Sequence, residues 1–316
     1  MKLVFCGTPQ FAVPTLEALL AAGHEIPLVV TQPDRPVGRA QQLTAPPVKL
    51  AALAAGLAVT QPERIRTNAE FRAQLEAIAP DAIVVVAYGR LIPPWMLALP
   101  RLGCINLHAS LLPRYRGAAP IQWAVAMGDA ITGNTTMLLE EGLDTGPILL
   151  QEALVIAPDR TAADLFDVLA QSGAPLVVET LGRLDAGILE PQPQNRSGAT
   201  YAPLLNREDG RMDFAARTAH ELKNRWRGFQ PWPGAFTALD GKKLIVHRME
   251  VVDAATLDAP ANAVPGHIHV EAHRLLAACA ENTWLEFGEV QLEGKKRMTA
   301  AEFLRGTPLA PGARFG

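Results

Sequence analysis

The sequence predicts an α/β fold with a mainly parallel sheet, followed by a second, smaller β-rich domain. Three observations support this prediction. The chain has 316 residues, about twice the ~150 residues at which a single hydrophobic core is comfortable. Its composition, 49% hydrophobic and 19% charged residues, is that of an ordinary globular protein. Short apolar runs alternate with helical patterns in the first part of the chain, which is typical of βαβ units.

The N-terminal segment is predicted to form a strand, a glycine turn and a helix. Residues 3–6 are an apolar run that ends at Gly7, and the leucines that follow mark one face of a helix that ends at Gly23. Polar residues 35–42 have no apolar period and predict a long exposed loop. Further strands of the same sheet are predicted at the apolar runs 26–30, 82–87, 102–108, 135–139 and 148–156.

The pattern after these strands predicts a domain boundary. It becomes helical from Thr161 to Gly187, and residues 189–198 then contain prolines and amides with almost no apolar side chains, which is typical of an extended linker. Beyond the linker, short β-rich runs separated by turns predict a small barrel or sandwich of roughly 100 residues. We expect an N-terminal domain at 1–188, a linker at 189–206 and a C-terminal domain at 207–316.

Composition argues against a membrane, disulfide or metal protein. The longest apolar run is far shorter than the ~20 residues that cross a bilayer, and Gly7 interrupts the N-terminal run too soon for a signal peptide. We therefore expect a cytoplasmic chain with no membrane partner. The cysteines are three in number without CxxC spacing, and no acidic residue stands at ligand spacing from the C-terminal histidines, so we expect reduced thiols and no metal.

The charge balance leaves room for a local basic face. The net charge is −3, and the part of the chain from Arg207 onward holds about half of the positive charge. This is too weak for a dedicated nucleic-acid binder, which usually has a strongly basic domain. The turn at Gly7 also lacks the G-x-G-x-x-G spacing that brings main-chain amides to a pyrophosphate, which disfavours a dinucleotide cofactor.

The strongest chemical signal comes from Asn106 and His108. Residues i and i+2 at the end of a strand point to one face, and the carboxyl ends of strands are where open α/β sheets bind ligands. An amide and an imidazole at such a place can stabilise the oxyanion of an acyl transfer. Asp144 is flanked by glycines between two predicted strands, where it is either an Asx-type turn residue or a carboxylate that orients the imidazole or accepts a proton. Residues 109–120 predict a binding loop.

Five segments together resemble the methionyl-tRNA formyltransferases. The central Asn-x-His and Gly-Leu-Asp-Thr-Gly motifs are common to the folate-dependent formyltransferases, whereas the flanking segments carry the resemblance to enzymes that act on tRNA. The segments are Phe5-Cys6-Gly7-Thr8-Pro9, Gln32-Pro33-Asp34-Arg35-Pro36, Asn106-Leu107-His108-Ala109-Ser110-Leu111-Leu112-Pro113, Gly142-Leu143-Asp144-Thr145-Gly146 and Gly294-Lys295-Lys296-Arg297-Met298.

The resemblance implies a Rossmann-like catalytic domain and an OB-like barrel that holds tRNA. It implies formyl transfer from 10-formyltetrahydrofolate to the methionine of initiator methionyl-tRNA by a monomer, with Asn106, His108 and Asp144 as the catalytic set. The residues implied in folate binding are Tyr88, Ser110, Leu111, Leu112 and Pro113. Those implied in tRNA binding are Arg35, Arg39, Arg225, Arg227, Lys242, Lys243, Lys295, Lys296 and Arg297.

Two other functions are considered beside this one. The same catalytic core serves a formyltransferase with a small amine acceptor, such as an amino-sugar nucleotide, and a noncatalytic RNA-binding protein is the alternative of another class. The family commonly has lysines where this chain has Gln41, Gln42 and Leu204. The first loop is therefore expected to act on tRNA through Arg39 and through its shape more than through charge.

Overall fold

The computed structural model of the chain describes residues 1–38, 41–260, 262–310 and 312–316, which form two compact units. One unit comprises Met1–Ile121, Ile131–Ile156 and Asp164–Pro203, and the other comprises Gln122–Ala130, Ala157–Ala163 and Leu204–Gly316. The second unit therefore includes two short segments from the N-terminal half, which no change in composition marks. The sequence-based limits of 1–188, 189–206 and 207–316 stay a prediction.

The first unit is built on a mainly parallel sheet. Its strands are β1 (Lys2–Gly7), β2 (Glu25–Val30), β3 (Arg35–Val37), β4 (Gln42–Thr44), β5 (Val59–Thr60), β6 (Ala82–Val86), β7 (Cys104–His108), β8 (Ile131–Leu138) and β9 (Ile148–Val155). Seven of them form one sheet in the order β5-β2-β1-β6-β7-β8-β9. Within this order, the neighbours in β5-β2-β1-β6-β7 pair in parallel, and β8 and β9 add antiparallel pairings at one edge.

Strands β3 and β4 correct the prediction of a long loop at residues 35–42. They pair as a separate antiparallel hairpin in which Arg35 lies opposite Thr44. The sequence hides this hairpin because each strand has three residues and those of β4 are all exposed. Because β4 has no buried face, no alternation of apolar and polar residues develops along it.

Helices cover the sheet of the first unit. They are α1 (Val13–Ala21), α2 (Pro47–Ala54), α3 (Ala69–Ile78), α4 (Pro94–Leu97) and α6 (Ala162–Asp185), whereas α5 (Pro120–Ala126) lies mostly in the second unit. In α6, a Cβ at Gly173 would lie 2.7 Å from a Leu107 methyl carbon and 3.1 Å from the Asn134 amide nitrogen. The missing side chain therefore lets α6 pack closely on β7 and β8. None of the described helices is long and apolar enough to cross a membrane.

The second unit is a smaller antiparallel β structure. Its strands are β10 (Phe236–Leu239), β11 (Lys242–Val252), β12 (Ile268–Glu271), β13 (Arg274–Ala278), β14 (Trp284–Leu292) and β15 (Met298–Thr299), and its helices include α7 (Ala219–Gly228) and α8 (Ala300–Gly306). The strands follow the order β10-β11-β14-β13-β12, and β15 pairs with β14. Fully buried Leu244, Leu285 and Phe287 belong to its core. The predicted fold class, a Rossmann-like unit with a smaller barrel-type β domain, is confirmed.

Candidate active site

Asn106 and His108 lie on one face of β7, near its carboxyl end. Both side chains are almost buried, with 9% and 6% of the residue exposed. His108 is paired with Thr135 of the antiparallel strand β8. Among the described residues, the Asn106 side-chain amide has no hydrogen-bond partner, so its N–H groups are available to a substrate oxygen.

The His108 ring is held through Nε2 and faces Asp144 through Nδ1. Its Nε2 lies 2.9 Å from the carbonyl oxygen of Tyr115. Because a carbonyl oxygen only accepts hydrogen bonds, this contact assigns the ring proton to Nε2. Its Nδ1 lies 3.8 Å from Oδ2 of Asp144, which is longer than a hydrogen bond. With the proton on Nε2, Nδ1 presents a lone pair toward Asp144.

Asp144 is fixed in the turn between β8 and β9. Its φ is +49°, a left-handed conformation that Asp tolerates in turns. Its Oδ2 accepts the main-chain N–H of Gly117 at 2.8 Å. The side-chain amide of Gln194 donates to the carbonyl oxygens of Asp144 and Gly146 at 2.9 and 2.7 Å. The structure therefore brings together the three side chains that the sequence places in the catalytic set.

The segment Ser110 to Pro113 is anchored by two polar side chains that the sequence pattern does not reveal. The Thr135 hydroxyl donates to the Ser110 carbonyl oxygen at 2.6 Å and accepts the Leu112 N–H at 3.1 Å. Gln151 donates to the Leu112 carbonyl oxygen and to the Thr135 hydroxyl, each at 2.9 Å. Period-2 alternation along β8 is the sequence signal for buried Thr135, whereas Gln151 is exposed and no pattern marks it.

The four predicted folate contacts of this segment differ in their exposure to solvent. Ser110 and Leu112 are buried, whereas Leu111 and Pro113 are half-buried and present part of their surface to solvent. The Ser110 hydroxyl donates to the Arg114 carbonyl oxygen at 2.6 Å. Leu111 and Pro113 are therefore the members whose side chains can touch a ligand.

The predicted folate contact of Tyr88 is corrected, because its side chain is buried. Tyr88 is 2% exposed and packs in the core against residues such as Val4 and Ile83. Burial raises the pKa of its hydroxyl well above the usual value. Its carbonyl oxygen accepts hydrogen bonds from Thr8 and Gln32. The side chain thus supports the strand end, and only its main chain can face a ligand.

Comparison with known proteins identifies the family. The family model described as "Formyl transferase" matches residues 1–181, and "Formyl transferase, C-terminal domain" matches residues 204–308. A methionyl-tRNA formyltransferase from Acidobacterium capsulatum is 65% identical over 316 residues, which covers 100% of both chains. This chain belongs to the methionyl-tRNA formyltransferase family. It is therefore a formyltransferase enzyme, as the sequence predicts.

Other relatives agree with this family membership. The methionyl-tRNA formyltransferase of Koribacter versatilis is 58% identical over 306 residues, or 97% of this chain and 96% of that protein. Among solved structures, an N-formyltransferase from Helicobacter canadensis, described in complex with folinic acid and dTDP-3-aminofucose, has a TM-score of 0.64 at 17% identity. The match covers 91% of this chain and 98% of the Helicobacter canadensis chain. At 17% identity it shows that the two proteins share a fold.

Of the basic residues predicted to contact tRNA from the second unit, Arg227 is buried. Arg227, predicted as a tRNA contact, is 5% exposed and donates from Nη1 to the carbonyl oxygens of Pro158 and Arg160 at 2.6 and 3.1 Å. Its Nη2 donates to Asn224 at 2.7 Å. The prediction for Arg227 is therefore corrected, because its guanidinium is used inside the unit.

Arg225 and Lys243 are also occupied by protein contacts. The Arg225 guanidinium lies over the rings of Trp123 and Phe229, at 5.6 and 4.8 Å from their centroids. Burial lowers its pKa. Lys243 lies 3.8 Å over the Phe236 ring, and partial burial lowers its pKa as well. A Thr218-x-x-Glu221 capping box marks the start of α7 in the sequence and is the signal that places Arg225 and Arg227 on a helix.

The remaining predicted cations are exposed. Lys242, Lys295 and Lys296 lie at the same end of the β11–β14 pair, since the Glu293 N–H bonds to the Lys243 carbonyl oxygen at 2.8 Å. Arg297 follows them and is hydrogen-bonded to Glu289 at 2.6 Å. In the first unit, Arg35 is exposed on β3, whereas Arg39 lies outside the described residues.

The cysteines take no part in this site. Cys6, Cys104 and Cys279 are free and buried, as predicted, and burial raises the pKa of Cys104 and Cys279 to about 12. No cluster of three metal-ligating side chains occurs within the part of the chain that the structure describes.

Proposed function

We propose that this enzyme transfers the formyl group of 10-formyltetrahydrofolate to the α-amino group of methionine on initiator tRNA. The observation that carries the proposal is the Asn106, His108 and Asp144 arrangement in a chain 65% identical over its full length to a methionyl-tRNA formyltransferase. The product is formylmethionyl-tRNA for translation initiation. Because that product is used by ribosomes, we place the reaction in the cytoplasm, and we propose that a monomer carries it out.

The reaction proceeds by direct transfer. The neutral amine attacks the formyl carbon, and the carbonyl electrons form an oxyanion. Collapse of this intermediate breaks the bond from the formyl carbon to N10 of the folate. The amine nitrogen gives up a proton and N10 takes one up, so the transfer is balanced without a covalent enzyme intermediate.

Asn106 and His108 stabilise the oxyanion. The unpaired Asn106 amide donates the first hydrogen bond, at a buried position where such a bond is strong. His108 donates the second when its Nε2–H shifts from the Tyr115 carbonyl oxygen to the substrate. Asp144 accepts the proton that leaves the amine and, once protonated, donates a hydrogen bond to the Nδ1 lone pair, which holds the ring.

The donor lies against the Ser110 to Pro113 segment. The Leu111 and Pro113 side chains supply an apolar wall for the folate ring, and the main chain at Tyr88 lies nearby. Thr135 and Gln151 hold this wall in place through the hydrogen bonds to Ser110 and Leu112.

The acceptor is held mainly by exposed cations. Lys242, Lys295 and Lys296 contact phosphates from the second unit, and Arg35 and Arg39 act from the first. Contacts of this type depend strongly on salt. An Arg39→Ala variant should raise KM for methionyl-tRNA at ~150 mM salt and leave folate binding unchanged; equal KM values would contradict a role for Arg39.

One assay distinguishes the alternatives. The enzyme is incubated with 10-formyltetrahydrofolate and one of three acceptors: methionyl-tRNA, free methionine or an amino-sugar nucleotide. Formylation of methionyl-tRNA alone is the expected result. Transfer to the sugar nucleotide would favour the small-amine alternative, and tRNA binding without transfer would favour the noncatalytic one.

A further inference from the structure

The segment after α6 reaches the candidate active site. Gln192 pairs with Ile148 at the start of β9 through two main-chain hydrogen bonds of 2.8 Å. The prolines and amides of this segment predict an extended linker, and nothing in its composition predicts contact with a catalytic residue. Two residues further on, the Gln194 side chain meets the turn that carries Asp144.

Gln194 joins that turn to a second loop. Its Nε2 donates to the carbonyl oxygens of Asp144 and Gly146, while its Oε1 accepts from Nε and Nη2 of Arg116 at 3.0 and 2.7 Å. Arg116 is 5% exposed, and a buried guanidinium needs hydrogen-bond partners. The Gln194 side-chain amide therefore supplies hydrogen bonds both to the carbonyl oxygens of the turn and to the buried Arg116 guanidinium.

Thr200 and Ala202 hold the same loop from the main-chain side. The Thr200 hydroxyl accepts the Tyr115 N–H at 2.8 Å, and the Ala202 N–H donates to the Arg116 carbonyl oxygen at 2.7 Å. Gly117 has a φ of +118°, and a Cβ there would lie 2.7 Å from the Ala202 carbonyl oxygen. This close approach is open only to glycine.

The two groups on either side of the His108 ring, the Tyr115 carbonyl oxygen and the Asp144 carboxylate, are thus both held in place by the segment after α6. The Tyr115 carbonyl oxygen bonds to Nε2, and the carboxylate opposite Nδ1 is fixed by the Gly117 N–H. We propose that Gln194 is a positioning residue that sets the distance between Asp144 and His108. The inference rests on the proposed function, since it assigns a role to Gln194 in that reaction.

Gln194→Leu tests the inference because it keeps the side-chain size and removes all four hydrogen bonds. We expect kcat to fall about 10- to 100-fold, since a displacement near 1 Å can lower a rate by about 10². The KM values for both substrates should stay within about twofold. Gln192→Leu is the matched control, because that side chain bonds to the exposed Glu190 carbonyl oxygen, and it should keep the wild-type kcat.

A double-mutant cycle separates positioning from general loss of structure. In an Asp144→Asn background, Gln194→Leu should lower kcat less than twofold, because the group through which it acts has already been changed. Equal losses in both backgrounds would overturn the proposal. Gln194→Glu keeps the contact to Arg116 but cannot donate to the turn, so it should be as slow as Gln194→Leu; wild-type turnover would also overturn it.

A measurement without substrates makes the outcome independent of the proposed reaction. The Gly117 amide should exchange with solvent at least tenfold faster in Gln194→Leu than in the wild type, because its Asp144 acceptor is no longer fixed. Gln192→Leu should leave this rate unchanged. Unaltered exchange in Gln194→Leu would reject the positioning role, whereas a failed transfer assay with the wild type would reject the proposed function alone.

Discussion

The Nε2 atom of His108 lies 2.9 Å from the carbonyl oxygen of Tyr115, a residue seven positions further along the chain. This contact fixes the tautomer of the ring and turns Nδ1 toward Asp144. The loop that supplies the carbonyl also supplies the N–H that binds Asp144, through Gly117. One short loop therefore orients both members of the pair, and the predictions below examine each part of this arrangement.

Asp144→Asn should lower kcat by about 10²–10⁴-fold, the usual contribution of a general acid or base. The amide oxygen can still accept the Gly117 N–H, so the turn should keep its conformation and the protein its Tm. Single-turnover formylation of methionyl-tRNA measures the effect. The exposed Glu141, in the same turn, provides the control Glu141→Gln, and near-normal turnover by Asp144→Asn would exclude a proton-transfer role.

Asn106→Ala should lower kcat by about 10²–10³-fold, because loss of one oxyanion donor typically has an effect of this size. KM for both substrates should change little if the bond forms mainly in the transition state. Steady-state kinetics with each substrate varied in turn give both values. A large rise in KM at unchanged kcat would instead assign Asn106 to ground-state binding.

The triple variant of Lys242, Lys295 and Lys296 to Ala should weaken methionyl-tRNA binding and flatten its salt dependence. Each lost phosphate contact should reduce the slope of log K against log salt by about 0.7–0.9. Binding titrations between low and physiological salt measure that slope. Lys223→Ala is the control, since Lys223 is paired with Glu250 at 2.5 Å in the same unit; an equal change in slope would show that only net charge matters.

Arg227→Met should destabilise the protein by about 1–3 kcal/mol, because it removes the hydrogen bonds that the buried guanidinium donates to the Pro158 and Arg160 carbonyl oxygens. Urea denaturation measures the free energy of unfolding. At temperatures where the variant remains folded, its affinity for methionyl-tRNA should match the wild type. A variant of normal stability that binds tRNA weakly would restore Arg227 as a phosphate contact.

Asp81 should make part of the stability depend on acid pH. Its pKa is held below the ordinary value of an aspartate, first by the Lys2 main-chain N–H and then by Arg101. The folded state thus binds this proton more weakly than the unfolded state. The stabilisation is fully present at pH values above the pKa of Asp81 in the unfolded state, and it is lost as the pH falls through the pKa of Asp81 in the folded state.

Asp81→Asn should therefore lose stability relative to wild type at pH 7 and differ less from it at pH 3. Denaturation at the two pH values gives the comparison. Exposed Asp167, in α6, provides the control Asp167→Asn, which should change stability little at either pH. A constant difference between wild type and Asp81→Asn would show that the lost contacts do not involve the charge of Asp81.

The elements with strong periodicity could be predicted from the sequence. The apolar runs at 26–30 and 82–87 correspond to β2 and β6, and the stretch from Thr161 to Gly187 contains α6. The hairpin of β3 and β4 could not, because all three residues of β4 are exposed and show no alternation of buried and exposed positions. Likewise, burial of the Tyr88 and Arg227 side chains depends on residues from other elements packed around them.

By itself the sequence determined the family, the reaction chemistry and the face shared by Asn106 and His108, because motif spacing and strand alternation are local properties. Tertiary structure alone decided which carbonyl oxygen meets Nε2 and which amide fixes the Asp144 turn. Gln194 lies 50 positions beyond Asp144. Contacts over such separations arise from packing, which brings together main-chain groups that all residues share and that no sequence pattern distinguishes.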